Sequence, residues 1–206
     1  MTEALTMETA LQRRLIAAVA TAVIERADEL TALDQAIGDG DHGLNLKRGF
    51  EAVLAQLDAL ADRPLPEAIT EMGTTLVMKV GGASGPLYGV LFMTLGRQLP
   101  REPTSADAAS ALGLAIEAVK KLGKSDRGQK TLLDVLAPAQ AELAAGGEGL
   151  RGRVCQRAAA AAEATIPMRA IKGRASFLGE RSIGHMDPGA RSCSLMIAAV
   201  CDALEG

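Results

Sequence analysis

Between residues 10 and 33 the apolar side chains Leu11, Leu15, Ile16, Val19, Ala22, Val23, Leu30 and Leu33 recur largely at intervals of three and four, and this rhythm returns along most of the chain. That spacing puts apolar groups on one face of a helix. No stretch shows sustained alternation of β-branched or aromatic residues with polar ones, so strands have no support. The pattern predicts helices over 10–33, from 42 to about 60, from 66 to 80, from 84 onward, over 105–122, 131–145 and 150–165, and from about 189 to 204. Pro64, Pro66, the Gly81-Gly82 pair, Gly146-Gly147 and Pro167 punctuate them. The expectation is an all-α chain of about eight helices, forming one domain over residues 1–206.

Composition agrees with a helical core. Hydrophobic residues make up 48% of the chain but aromatics only 2%. The interior must therefore be Ala, Leu, Val, Ile and Met, of which Ala, Leu and Met lose little freedom in a helix. A chain of this length buries roughly 70% of its unfolded surface, enough for a core without staples. The net charge of −3, the absence of a basic stripe and the shortage of stacking aromatics exclude a nucleic-acid partner. Three cysteines without CxxC spacing read as small core residues of a reduced protein. No basic segment followed by an apolar run marks a secretory signal, and no segment approaches a membrane span, so a soluble, cytoplasmic protein is expected.

Glycine clusters at 38–49, 81–89, 123–128 and 173–189, and these segments hold the residues with chemistry. Asp34, Asp39 and Asp41 place three carboxylates within eight residues between two periodic helices. Such a cluster suits Mg²⁺ or Ca²⁺, and magnesium commonly shares its remaining positions with phosphates. Gly38, Gly40 and Gly43 would let the backbone turn the carboxylates inward. The other reading is a solvated acidic loop in which Asp41 caps the next helix, and the two readings are compatible. A calcium EF-hand is disfavoured, since counting from Asp39 puts Gly43 at the fifth position and Phe50 at the twelfth.

Two motif matches fail on context. The segment 38–43 satisfies GxGxxG but follows a helix, and its aspartates would repel a pyrophosphate. The segment 123–131 resembles a P-loop, but Gln129 separates the second glycine from Lys130 and helical spacing precedes it. The 81–85 segment offers consecutive N–H groups and little bulk at a helix start, as a phosphate site or a plain turn. The 172–189 stretch is long and irregular; Arg174 and Arg181 there read either as bidentate phosphate clamps or as ordinary surface charges, the commoner role for any one arginine. His42 adjoins the carboxylates, whereas His185 lies in the irregular stretch.

Taken together, GDGDHGLN at 38–45, GGASGP at 81–86 and GRASFLGERSIGHMDPGA at 173–190 resemble the signatures of the L-type, nucleotide-binding subunit of dihydroxyacetone kinases. The resemblance spans almost the whole chain. It implies eight antiparallel helices closed into a barrel, with ADP or ATP held at one end through two Mg²⁺ on Asp34, Asp39 and Asp41. By position it assigns nucleotide contacts to His42, Gly43, Leu44 and Asn45, to Ala83 and Ser84, to Gly123 and Leu132, to Arg174, and to Asp187, Pro188 and Gly189. It further implies a separate K-type subunit that holds the ketone, and in phosphoenolpyruvate-dependent systems a phosphohistidine donor protein that rephosphorylates bound ADP. An ATP-dependent kinase for a related ketose such as erythrulose, or a non-catalytic nucleotide-bound adaptor, stands beside that reading. A homodimer is one assembly the resemblance allows. Gly40 and the lysine-rich 123–130 segment leave donor and acceptor open.

Overall fold

The computed structural model describes residues 2–205. The helices are α1 (Thr2–Glu25), α2 (Ala27–Ile37), α3 (His42–Leu54), α4 (Leu57–Ala61), α5 (Leu65–Lys79), α6 (Ser84–Gln98), α7 (Ser105–Gly123), α8 (Leu133–Ala145), α9 (Leu150–Glu163) and α10 (Pro188–Ala203), with a 3-10 helix at Arg174–Ser182 before the last. Among the described residues there is no strand. None of the helices is long and apolar enough to cross a membrane.

Eight of these helices pack in a closed ring: α1 on α3, α3 on α5, then α5, α6, α7, α8, α9 and α10 in turn, and α10 back on α1. Sequential neighbours around the ring are antiparallel, joined by short connections except between α9 and α10, where the long segment with the 3-10 helix intervenes. The interior is the apolar seam expected from the three-four rhythm, with Val19 and Val23 of α1, Leu46 and Phe50 of α3, Leu76 of α5, Tyr88 of α6, Val119 of α7, Leu133 of α8, Ala158 of α9 and Cys193 of α10 all in one core. Alanine is frequent there, which lets helices approach closely without large side chains to interdigitate.

The two helices expected to be longest are each broken. The 10–33 helix ends at Glu25; Arg26 leaves helical geometry (φ −102°, ψ 12°) and α2 starts at once and runs on to Ile37. Periodicity survives such a kink because the apolar face stays inward on both sides, which hides the break from a sequence reading. The 42–60 helix is likewise divided at Ala55 and Gln56. Neither break changes the wall of eight, because α2 and α4 are appendages of α1 and α3. The 172–189 stretch is not wholly irregular, since it winds the 3-10 helix, interrupted at Gly179 where φ is +58°. All three cysteines are free; Cys193 and Cys201 are buried and Cys155 is partly exposed.

Candidate metal centre

The alternation of the ring brings the N-termini of α3, α6, α8 and α10 to one end of the barrel, beside the C-termini of α2, α5, α7 and α9. Helix N-termini carry unpaired N–H groups and partial positive charge. At this end Asp34, Asp39 and Asp41 each offer a carboxylate oxygen, and the three ligand atoms lie within 4.8 Å of one another. Three hard oxygen donors so close fit Mg²⁺ better than a softer metal.

The three aspartates are held differently. Asp34 stands on α2, in its last turn rather than in a loop, and is 8% exposed. Its Oδ2 accepts from the backbone N–H of Asp41 at 2.9 Å and of His42 at 3.2 Å. Asp34 therefore caps α3 from the preceding helix. Asp41 occupies the N-cap position of α3, but its side chain makes no capping bond, contrary to the capping role the sequence suggested. Asp41 is exposed and its carboxylate is left to face outward. Asp39 meets Arg174 Nε at 3.0 Å across the mouth of the site. Gly40, at φ +75°, supplies the left-handed turn between them. Gly43 serves a different purpose from the one expected: a Cβ there would collide with the Ala27 carbonyl and Thr31 of α2, so the glycine seats α3 against α2.

His42 sits at the meeting point of three helix starts. Its Nδ1 is 3.1 Å from Ser84 Oγ of α6 and its Nε2 is 3.1 Å from Ser192 Oγ of α10. Burial pushes its pKa below the usual value, against the pull of Asp34 and Asp41. A neutral imidazole with one N–H and one bare nitrogen suits a pair of hydroxyls, each able to donate or accept. Behind it, Tyr88 OH lies 2.5 Å from Ser192 Oγ, and burial raises the phenol pKa well above normal. The ring is thus committed to helix hydroxyls rather than to the acidic cluster.

The remaining expected residues gather at the same end, in two groups. Leu44, Ala83 and Arg174 are exposed, and Asn45, Ser84, Gly123 and Gly189 are half-buried. Asn45 Oδ1 accepts from Arg48, and the Gly81-Gly82 turn lies against Asn45 and Asp41. Gly43, Leu132, Asp187 and Pro188 are buried beneath this surface. Asp187 caps α10 by accepting from Ala190 N at 2.7 Å, and burial raises its pKa to about 7. Arg181 and His185 are exposed outside the cluster. A cleft lined by Ile37, Gly38, Asp39, Arg174, Phe177 and Leu178 opens beside Asp39. Sequence reading missed Tyr88 and Ser192, whose positions are 104 residues apart in the chain. It also missed Asp134, which binds the backbone N–H of Gly128 at 2.5 Å and Thr131 at 2.8 Å and so shapes the α7–α8 turn. The turn contains the near-P-loop, and Lys130 points its ammonium at backbone carbonyls instead of outward.

An all-helical barrel that collects helix N-termini, a carboxylate triad and an arginine at one end has the donors and the field for a phosphorylated ligand bridged by a hard cation. Residues 36–202 match the model of the DAK2 domain, and the chain belongs to that family. It is 42% identical over 179 residues to the ADP-binding subunit DhaL of the PEP-dependent dihydroxyacetone kinase of Escherichia coli, covering 83% of this chain and 85% of that protein. It is 41% identical to the corresponding subunit of PEP-dependent dihydroxyacetone kinase 1 of Listeria innocua, covering 86% of this chain and 88% of that one. Its fold is similar to the crystal structure of the dihydroxyacetone kinase from C. freundii in complex with AMP-PNP and Mg²⁺, with a TM-score of 0.76 and 26% identity over 94% of this chain. This chain spans 34% of that kinase's length.

Proposed function

We propose that this chain is the nucleotide-holding subunit of a dihydroxyacetone kinase, acting as a single domain in the cytoplasm. The observation that carries the reading is the convergence of Asp34, Asp39 and Asp41 with Arg174 at the N-termini of α3, α6 and α10. Family membership and the likeness to DhaL subunits along most of both chains support it.

In this reading the three aspartates hold two Mg²⁺ that carry ADP or ATP. The cations supply charge neutralisation along the phosphates during in-line phosphoryl transfer. His42, Gly43, Leu44 and Asn45 and Ala83 and Ser84 line the phosphates at two helix starts; the N–H groups of Gly43 and Leu44 are the donors offered by α3, since those of His42 and Asn45 already bond Asp34 Oδ2 and the Asp41 carbonyl. The exposed aliphatic surface of Leu44, with half-buried Gly123 and the buried Leu132 supporting it, takes the adenine in place of a stacking aromatic, and Asp187, Pro188 and Gly189 set the start of α10 beneath it. Arg174, paired with Asp39 across the mouth of the site, would offer its guanidinium to a phosphate oxygen. The phosphoryl group then passes to a hydroxyl of dihydroxyacetone on a K-type partner subunit. The PEP-dependent relatives favour bound ADP as a coenzyme, rephosphorylated by a phosphohistidine protein. The homodimer belongs to this proposal as well, and the mass of the isolated subunit in solution checks it.

The test is to purify the protein, denature it and identify released nucleotide and metal, then to follow exchange of labelled ATP with and without Mg²⁺. Retained ADP that exchanges slowly supports the coenzyme role. Rapid magnesium-dependent exchange assigns an ATP-dependent kinase instead. Absence of nucleotide binding in both conditions overturns the reading.

A further inference from the structure

Lys130 takes no part in the acidic cluster, yet it is the most unusual cation of this end of the barrel. Its side chain is 1% exposed, and its backbone lies at φ +61°, a region that disfavours any residue with a Cβ. Asp134 maintains this turn by accepting from the N–H groups on both sides of it, Gly128 and Thr131. The conformation aims the ammonium inward at three backbone carbonyls: Ser182 at 2.7 Å, Met168 at 3.0 Å and Ile166 at 3.5 Å. An ammonium has three N–H donors, so this set uses all of them and leaves none for a ligand.

The three carbonyls come from the two ends of one segment. Ile166 and Met168 lie where the chain leaves α9, and Ser182 lies where the 3-10 helix finishes. Further bonds tie the same two ends together around the cation. Gly184 N donates to Ile166 O at 2.9 Å, Ala170 N donates to Ser182 Oγ at 2.9 Å, and Ile171 N reaches Gln129 O beside Lys130 at 3.5 Å. What remains between the tied ends includes Arg174, whose guanidinium meets Asp39.

We propose that Lys130 is a positioning residue, a buried cation that gathers the carbonyls at both ends of the 166–182 segment and thereby sets Arg174 over the carboxylate cluster. The near-P-loop lysine thus serves phosphate chemistry indirectly, by organising protein carbonyls instead of touching phosphate. The inference rests on the reading of Arg174 as a nucleotide contact.

A double-mutant cycle tests it in the full chain, combined with its K-type partner and phosphoryl donor, with nucleotide affinity measured in parallel on the isolated subunit. Arg174→Gln, Lys130→Met and the double variant are compared for turnover, nucleotide Kd and melting temperature. Lys130→Met is expected to lower turnover on the order of 10- to 100-fold, as displacement of a positioned group does. The double variant is expected to be no worse than Arg174→Gln alone, because both substitutions remove the same placed guanidinium. Losses that multiply, or turnover of Lys130→Met equal to the parent, overturn the proposal. If Lys130→Met fails to fold, Lys130→Arg, which keeps the buried charge but has a planar fork unsuited to three convergent carbonyls, takes its place in the same cycle under the same criterion. An Arg174→Gln variant that turns over and binds nucleotide like the parent refutes the reading of Arg174, and this inference with it. A damaging Arg174→Gln with multiplicative losses refutes this inference alone.

Discussion

The two ends of the barrel solve the same problem, the unpaired groups of helix termini, by opposite means. At the end away from the cluster the solutions are mostly local and exposed. Thr104 and Asp107 form a reciprocal capping box at the start of α7, Pro64 and Pro66 open α5, and Arg13 pairs with Asp58 on the surface. Gln12 is the exception there, buried and donating to the carbonyls of Leu60 at 2.8 Å and Arg63 at 2.9 Å. At the cluster end the solutions are mostly buried, and several join residues distant in sequence. Asp34 caps α3, His42 joins α6 to α10, Thr165 accepts from Asp187 N, and Lys130 gathers the carbonyls of the long segment. Buried polar groups are costly unless fully paired, so a chain that concentrates them at one end is holding a geometry there.

The largest effect is expected within the cluster, where Asp34 and Asp41 separate the two kinds of carboxylate. Asp34→Ala removes a proposed metal ligand and the acceptor for two backbone N–H groups. It should abolish magnesium-dependent nucleotide binding and also destabilise the nucleotide-free protein by about 1–2 kcal/mol, the range of a lost helix cap. Asp41→Asn should abolish binding to the same degree while leaving the melting temperature of the nucleotide-free protein unchanged or higher, since it removes like-charge repulsion and breaks no bond. Calorimetric titration with Mg-ADP and thermal unfolding of the metal-free variants check both. Equal destabilisation by the two substitutions would erase the distinction.

The same contrast explains what was legible in the chain. The wall of eight helices could be read because a helix that lines a core writes its buried face into its own three-four spacing. The acidic cluster could be read because its three carboxylates are close in sequence. The placement of Asp34 on α2 was not legible, because the apolar rhythm ended at Leu33 and Asp34 looked like the first loop residue. Its cap is made across a turn to α3, and no local signal distinguishes it from a capping Asp41. His42 with Ser192, Tyr88 with Ser192, and Lys130 with Ser182 are pairs of high sequence separation, and one sequence without tertiary context cannot register them. Lys130 drew notice only through its likeness to a phosphate loop, a likeness the fold uses differently.

Asp187 sharpens the comparison through pH. Its carboxyl is buried at the start of α10, and burial, reinforced by the nearby Asp134 and opposed by the Ala190 N–H and Lys130, raises its pKa from 3.8 to about 7. The sign follows from the protons bound. Between those two values the folded protein keeps the proton while the unfolded chain releases it, so stability is greatest below the lower value and falls as pH rises through the interval. One group contributes at most about 1.4 kcal/mol per pH unit to that slope. Asp187→Asn, which has no proton to lose and still offers a capping oxygen, should flatten the decline of the nucleotide-free protein and leave it more stable than the parent above pH 7. Denaturant unfolding at a series of pH values measures the slope, and an unchanged slope in the variant would show that the buried end does not titrate there.

The smallest effect belongs to the opposite end. Thr104 lies on the surface, its hydroxyl accepts from Asp107 N at 3.2 Å, and the Asp107 carboxylate accepts in return from Thr104 N at 3.0 Å. The bonds from Thr104 hold the Asp107 carboxyl below its usual pKa. Replacing the threonine by alanine removes one acceptor from the first turn of α7, at a site where water can take its place. A fall of about 2–4 °C in melting temperature is expected for a chain of this length. Because no buried group depends on that cap, nucleotide affinity and exchange should match the parent. If Thr104→Ala weakened nucleotide binding as well, the two ends would be coupled through the length of α7, whose C-terminus at Gly123 reaches the cluster end. The barrel would then be one cooperative device instead of a stable wall with a specialised rim.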